Sequence, residues 1–565
     1  MDDPNYHPSD SGSNLEDEVE EDTMTIENPN GNFTSNDENL NIGSNLVEQS
    51  DSESGGSDVE PPRKSEWNDP EGNHMMFGTE YNDSEGISPE YAAALVNENP
   101  FTFYSSFVDD QIINLMVRET NLYATQLLTS TEDVPEYSRL HKWTPTTCEE
   151  MLKFLGLIGY MGLVKMPSIR HYWSRKQLYR NDVSNVMSRN RFELLLHVWH
   201  FSDNDECPPG DRVFKIQPLL DSLIQKYQEL YTPGGTFCID ESLIPFRGRL
   251  IFKQYLPLKS HKYGIKIFKL CSGEGYTWNM KIYCGKEHDA GASVPTNVVM
   301  TLSENLLDKG RTVITDNYYT SLDLANKLLD RKTHLLGTLR SNRKGNPKEV
   351  TLKKLKRGEI ISKENTRGIN IMKWKDKRDV LILSTKHTDT MEEVQSRGST
   401  TLKPRAVSDY NRGKSSIDLS DQMSSYNTAL RKTIKWYRKI AIELLFGTSM
   451  INAHYLYKKI NNSKITITEF REKVYEEMLF SERYKEPDNN EGIATDNRRE
   501  KRKSEHKFDK KEGPSHKMRK YCVGCYEKKR NGLIVKNKVK KVSTFCNDCT
   551  NNPHYCMSCF NESHK

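Results

Sequence analysis

A multidomain chain with a mixed-sheet α/β core is the fold class this sequence predicts, and three observations predict it. Short apolar runs bounded by Gly and turn residues alternate with helical patterns between residues 236 and 331, which is the signature of strands and helices sharing one core. Charge divides sharply along the chain. Residues 1–90 hold 24 acidic and 2 basic residues, net −22, so the total of 81 basic and 79 acidic residues leaves +24 for the remainder. Six of the eleven cysteines fall in the last 44 residues. No single domain accounts for an acidic arm, a basic body and a terminal thiol cluster over 565 residues.

The elements follow in order. Residues 1–90 are rich in Asp, Glu, Asn, Ser and Gly and poor in aromatics; such a segment cannot bury enough apolar surface to offset chain entropy, and a disordered acidic arm is expected. Residues 91–235 read as helical: Ile112, Leu115, Met116, Tyr123 and Leu127 recur near helical spacing, Thr147-x-x-Glu150 forms a capping box, and a helix from Ser188 turns Phe192, Leu195, Leu196 and Trp199 inward. From Thr236 the period changes. Strands are expected at 236–240, 264–271, 277–284 and 312–316, with helices at 296–308 and 321–331, so that 236–344 is the first core segment. Residues 345–404 are Lys-rich with strand-like pieces such as 379–385 and read as a β-rich insertion. Residues 405–427 return to the core, 428–484 are helical, 485–520 form a basic linker and 521–565 a Cys/His module.

Composition excludes several classes of function. No apolar run reaches the roughly 18 residues of a membrane span, and the N-terminus lacks the basic and apolar regions of a secretory signal. The uneven cysteines fit a reducing compartment, where the terminal cluster binds metal rather than forming disulfides. The acidic arm and basic body point to a nucleic-acid partner.

Two carboxylates close apolar strands: Asp240 and Asp316. A lone buried carboxylate is costly, so both are expected at the rim of the sheet. If their strands are neighbours, the two acids repel unless a divalent cation lies between them, and Mg²⁺ suits one or two carboxylates plus phosphate and water oxygens. Asp418 and Asp421 lie at the start of a helix-like stretch, and a spacing of three puts both on one face. Strand-end acids joined by acids on a later helix suit two-metal phosphodiester chemistry. Basic and aromatic residues surround each acid: Arg247, Arg249, Lys253, Lys262 and Lys266 near Asp240; Arg340 and Arg343 after Asp316; Arg431, Lys432, Lys435 and Trp436 after Asp421. Phosphates of double-stranded DNA are their natural ligand.

CIDESLIPFRGRL (238–250), TDNYYTS (315–321) and IDLSDQM (417–423) resemble the three blocks of piggyBac-family transposases, and MSRNRF (187–192), YGIK (263–266) and RKT (431–433) also match the family. The resemblance runs from about residue 100 to the C-terminus. It implies an RNase H-like core split by an inserted domain, and a helical dimerisation and DNA-binding domain built from segments on both sides. It implies that Asp240, Asp316 and Asp418 form an aspartate triad on two Mg²⁺ ions, with Asp421 as an additional acid. The family usually has Gly-Gly-Val before the third Asp, where this chain has Ser415-Ser416-Ile417. Gly permits close backbone approach, so the two serines bear on where the helix starts.

The terminal module offers eight ligands in 43 residues: Cys522, Cys525, Cys546, Cys549, His554, Cys556, Cys559 and His564. Paired Cys-x-x-Cys knuckles lock thiolates onto tetrahedral Zn²⁺, and eight ligands suffice for two structural zincs. So small and polar a piece folds on its metal. His554 is the weakest ligand, because a family member can lack a ligand there. The family implies cross-brace pairing, while spacing leaves open which Cys shares which zinc. Lys528, Lys529, Arg530, Lys536, Lys538, Lys540 and Lys541 separate the knuckles and argue against a RING-like ubiquitin ligase. By resemblance the module reads transposon-end DNA.

The expected function is therefore a cut-and-paste DNA transposase, homodimeric and without a membrane role. By resemblance it passes through a hairpin intermediate and inserts at TTAA. RREKRK (498–503) is a candidate nuclear-import segment, which places the protein in the nucleus. The rival reading is a domesticated, catalytically weak DNA-binding or chromatin protein on the same fold.

Overall fold

The computed structural model describes residues 67–78, 85–130, 138–430 apart from 258, 260, 273–274, 286–293 and 397–398, then 433–480, and most of 508–564. Most of the acidic arm and residues 481–507, with the candidate import segment, lie outside the described residues.

Helices occupy the chain on both sides of the strand-rich part. On the first side are α1 (Asp110–Ser130), α2 (Cys148–Leu163), α3 (Arg189–Val198) and α4 (Gln217–Leu230). The sequence caps two of them as expected: the Thr147 hydroxyl accepts from the Glu150 N–H and the Ser188 hydroxyl from the Arg191 N–H. The capping box is half made, because the Glu150 carboxylate turns to Thr146 and Arg191. Phe192, Leu195 and Trp199 are fully buried, as periodicity predicts.

Eight strands carry the core: β1 (Thr236–Pro245), β2 (Tyr263–Ser272), β3 (Tyr276–Ile282), β4 (Thr312–Thr315), β5 (His334–Thr338), β6 (Ile360–Asn365), β7 (Asn370–Lys375) and β8 (Asp379–Ser384). They belong to one ten-stranded sheet in the order β6-β7-β8-β5-β4-β1-β2, with β3 also on β2 and two-residue strands adding to β6 and β2. β1, β4 and β5 run parallel, whereas β2 and β3 are antiparallel additions. β4 is buried at all four positions, as a central parallel strand covered on both faces should be.

Three expectations need correction. Residues 345–404 do not stand apart, because β6, β7 and β8 continue the core sheet from β5; only the hairpin Met391–Ser396 and Ser399–Pro404 pairs by itself. An apolar edge needs a partner, and β5 supplies one through Leu336, Gly337 and Thr338. Part of the presumed arm is also ordered. Trp67–Asn68 pairs with Glu364–Asn365 of β6, the Glu364 carboxylate accepts from the N–H groups of Glu71 and Gly72, and Phe77 lies 4.8 Å from the His334 ring. This strap blunts the exposed edge of β6. Lastly, Phe508–Lys510 pairs with Thr544–Cys546, so the terminal module starts before residue 521 and takes in the end of the presumed linker.

Helices cover both faces. α5 (Val294–Ser303) and α6 (Leu322–Asp330) lie between β3 and β5 in the chain, and α7 (Arg405–Ser425) follows the hairpin. α7 places Ala406, Val407, Tyr410 and Ile417 against Cys238, Cys271, Ile314, Leu336, Met372 and Ile382. The opposite face, with Phe237, Ile239, Ile265 and Val313, joins the main core with α1–α4. That core also takes in α8 (Ser449–Ile460) and α9 (Ile467–Phe480). Gly159 of α2 permits the contact with α9, since a Cβ there would stand 2.3 Å from the Tyr475 ring.

Candidate carboxylate site and thiol clusters

Alternation along β1 decides which side chains face α7. Cys238 packs under Ile417, so Asp240 and Ser242 share that face. β4 pairs parallel with β1 as far as Ile239↔Thr315, and the next residue on each strand is an acid, Asp240 and Asp316. The two strand ends predicted separately are thus neighbours at one rim. β5 contributes through Gly337. A Cβ there would lie 2.2 Å from the Thr320 hydroxyl and 2.6 Å from the Thr315 carbonyl, so only Gly lets the loop after Asp316 fold over β5. Thr320 fixes that loop by donating its N–H and hydroxyl to the Asp316 carbonyl at 3.1 and 2.7 Å.

Both carboxyls are strained electrostatically. Burial first, then the charges of Glu241 and Asp316, push the Asp240 carboxyl well above its ordinary range, against the Glu241 N–H at 2.8 Å and Lys259. Burial and Glu241 likewise raise Asp316, against the N–H groups of Tyr318 and Tyr319 and the charge of Arg340. Two rim carboxylates that resist ionising together form a donor set that fits a small hard divalent cation.

Asp418 and Asp421 lie within α7 rather than at its start. The helix begins at Arg405, and Ser415 and Ser416 fold their hydroxyls back onto the carbonyls of Arg412 and Gly413 at 3.2 and 3.1 Å. The two serines therefore leave the helix continuous. Close approach is needed two residues earlier instead, at Gly413, where a Cβ would meet Ile314 at 2.0 Å. Asp418 is exposed, and its charge reaches the Cys238 thiol, which burial and the neighbouring acids push up. Among the described residues only the two Cys and Cys/His groups of the terminal module bring three or more ligand atoms within 4.8 Å of one another, so Asp240, Asp316 and Asp418 do not close into a cage. Asp421 is already paired: its Oδ1 accepts from Ser242 Oγ at 2.6 Å and from Lys269 Nζ at 3.0 Å.

The basic residues separate by environment. Arg247, Arg249 and Lys262 are exposed beside β1. Lys253 bends back to the Gly248 carbonyl at 3.0 Å. Lys266 is buried, 3.7 Å from the Glu241 carboxylate and over the Phe268 and Tyr318 rings, so it serves the site from inside rather than meeting a phosphate. Arg340 donates to Asn317 at 3.3 Å, and Arg343 to the Tyr318 carbonyl, so both hold the Asp316 loop. Trp436 packs edge-on to Phe252 at 5.3 Å and anchors the loop that carries Arg247 and Arg249. Arg431 and Lys432 lie outside the described residues. Sequence reasoning missed Glu241, whose carboxylate accepts from the Tyr319 hydroxyl at 3.1 Å, and Lys269; adjacency to Asp240 was the signal for the first.

In the terminal module Cys522, Cys525, Cys556 and Cys559 close into one group, with Sγ separations of 3.7 Å (522–556), 3.8 Å (525–556) and 3.7 Å (525–559). A tetrahedron of thiolates about 2.3 Å from zinc has edges of about 3.8 Å, so this donor set fits Zn²⁺. Cys546, Cys549 and His564 form a second group, with His564 Nε2 3.1 Å from Cys549 Sγ and Nδ1 2.9 Å from the Phe560 carbonyl. Nδ1–H donates to that carbonyl, which leaves Nε2 as the ring nitrogen turned to Cys549 and able to ligate a metal. The knuckles thus cross in space, first with third. His554 does not join: its Nδ1 bonds the Val542 carbonyl at 3.1 Å, and its buried Nε2 has no partner.

Comparison with known proteins identifies relatives of this chain. A family model described as Transposase IS4 matches residues 99–454. PiggyBac transposable element-derived protein 3 of Homo sapiens is 28% identical over 404 residues, 67% of this chain and 64% of its own length. PiggyBac transposable element-derived protein 2 of Homo sapiens is 25% identical over 381 residues, 64% of this chain and 62% of its own. The chain thus matches somewhat under two thirds of these relatives' length. A cryo-EM structure of a piggyBac transposase synaptic complex with hairpin DNA is similar with a TM-score of 0.63 and 26% identity, over 84% of this chain and 100% of that one.

Proposed function

Because this chain belongs to the piggyBac-type transposase family, we propose that it is a cut-and-paste DNA transposase whose cleavage site is built on Asp240, Asp316 and Asp418. The observation that carries this reading is the pairing of β1 with β4, which puts two acids side by side at a rim, under a helix bearing the third. The order β3-β2-β1-β4-β5, with the last three parallel, supports an RNase H-like core.

In this reading Asp240 and Asp316 would hold Mg²⁺ from the sheet and Asp418 would join them from α7, on the two-ion pattern of phosphodiester chemistry. When bound, the metal supplies Lewis acidity for activating water and for stabilising the leaving oxygen. Arg247, Arg249 and Lys262 take backbone phosphates beside it. Water first opens a phosphodiester at the element end; the freed 3′-hydroxyl attacks the opposite strand, displacing the flanking DNA and leaving a hairpin; a second water reopens the hairpin, and the restored 3′-hydroxyl then attacks a TTAA target. The terminal module, folded on two zincs, contacts end DNA, and the protein acts as a homodimer in the nucleus.

The test is direct. Purified protein with Mg²⁺ and a labelled duplex carrying its own flanking repeats should give nicks and hairpins, and Asp240→Ala should give neither while still binding the duplex. Binding without any nick in Mg²⁺ or Mn²⁺ would sink the reading. That outcome would favour a domesticated DNA-binding protein, a second reading that the likeness to piggyBac transposable element-derived proteins supports.

A further inference from the structure

One buried cation lies beside the candidate cleavage site without a place in the reaction. Lys269 stands on β2 directly opposite Asp240 in the register, and its side chain is 1% exposed. Nζ is 3.0 Å from Asp421 Oδ1 and 3.9 Å from Glu443 Oε1. A buried ammonium is retained only with partners, and these partners join separate elements. Asp421 is on α7, and the same oxygen takes the Ser242 hydroxyl from β1. Glu443 opens a π-helical stretch, Glu443–Thr448, and accepts from Ser424 on α7 at 2.9 and 3.1 Å. Asp421 and Ser424 are three residues apart, so Lys269 grips one face of the last turns of α7 at two points, directly and through Glu443. Asp418 lies one turn earlier on that helix.

We propose that Lys269 is the positioning residue of the cleavage site: a cation built into the sheet that fixes Asp421, sets the position of α7, and so delivers Asp418 to the metal held by Asp240 and Asp316. This rests on the carboxylate–metal reading above. It also assigns Asp421 a different task from Asp418. Asp421 is the handle by which the helix is held, and its charge is spent on Lys269 rather than on the metal. Burying one charged lysine against two acids is a demanding arrangement for mere packing, since a medium-length apolar side chain would fill the same space without desolvating three charges.

The test uses the full-length protein and Mn²⁺ as probe, followed by its paramagnetic resonance without DNA, and by nicking of end DNA as Mn²⁺ is titrated. Lys269→Met should weaken Mn²⁺ binding and slow nicking by about 10–100-fold, the usual cost of losing an outer partner of a metal site, while end-DNA affinity stays unchanged. Lys269→Arg, which keeps the charge, should recover most of both. Ser242→Ala should move the Mn²⁺ midpoint in the same direction by less. Lys269→Met strands two carboxylates, so Lys269→Met/Glu443→Gln serves if the single variant loses its fold. A merely structural lysine would lower the melting temperature and leave the Mn²⁺ midpoint of the folded protein alone. That result, or a wild-type midpoint in Lys269→Met, overturns the proposal while leaving the metal site standing. Absence of Mn²⁺ binding in the wild type overturns the metal reading itself and this inference with it.

Discussion

The carboxylate rim and the thiol module both gather groups of a kind that binds metal, but in opposite ways. In the module, the two pairs that make the four-thiol group are each spaced by two residues at the start of a short helix, Val523–Arg530 or Met557–Ser563, and their four sulfurs already stand near the corners of a tetrahedron. At the rim, each acid comes from a different element, and the three carboxylates do not close. Thiols lose their charge by protonation and can pack together without metal, whereas carboxylates near neutral pH repel. A preformed site suits a structural ion, which must hold a coreless piece together. An open site leaves room for substrate oxygens.

The largest effect expected from breaking one side of this comparison is on cleavage. Asp240→Ala, Asp316→Ala or Asp418→Ala should each lower nicking by about a thousand-fold or more, the scale of losing a group that acts only in the transition state, with end-DNA affinity within about two-fold. Near-normal nicking by Asp418→Ala would remove it from the site. Asp421→Asn should cost less, because it breaks a handle rather than a ligand.

On the other side, chelation should unfold residues 508–564 and spare the rest. Cys522→Ser or Cys559→Ser should lower the zinc content of purified protein by one ion per chain. His564→Ala should do the same at the second group. His554→Ala should leave the zinc count unchanged, since its ring is turned to Val542; a lost zinc would return it to the ligand set.

A smaller effect tests the repulsion itself. Asp240 and Asp316 have folded pKa values raised above their unfolded values, so the folded state keeps its protons longer. Stability from these groups is fully present below about pH 4 and is lost as pH rises through the raised values. Metal-free Asp240→Asn should therefore outlast the wild type near pH 7, and the gap should close with added Mg²⁺ and below pH 4. Equal melting at every pH would show that the rim is not under strain. The smallest effect is on binding. Arg247→Ala and Arg249→Ala should each reduce the salt slope of DNA affinity by about 1, whereas Lys266→Met should leave the slope unchanged because that ammonium is buried over aromatic rings.

Local patterns carried much of the rest. Apolar runs ending in Asp240 and Asp316, the acids of 418–421 and the Cys-x-x-Cys pairs were legible because each depends on residues close in the chain. So were the helix starts at Thr147 and Ser188. β5 was missed. HLLGT (334–338) is five residues long with a Gly that reads as a turn, and only the crossing of the Asp316 loop explains why Gly stands in that strand. β6–β8 were read as an insertion because Lys-rich segments look solvated until their alternate residues are seen against α7.

What the sequence alone determined is chemistry by residue type: acids at strand ends, thiols in Cys-x-x-Cys pairs, and a basic body set against an acidic arm. What only the tertiary structure decided is partnership. Parallel pairing of β1 with β4 made two distant acids neighbours across 76 residues of chain. The docked strap turned part of an acidic arm into an edge cover. Crossing knuckles excluded His554, and a buried lysine claimed Asp421. Periodicity and spacing report which groups a segment must bury or expose, because that is set within a few residues. Which distant group meets them depends on the packing of whole elements, and no local pattern encodes it.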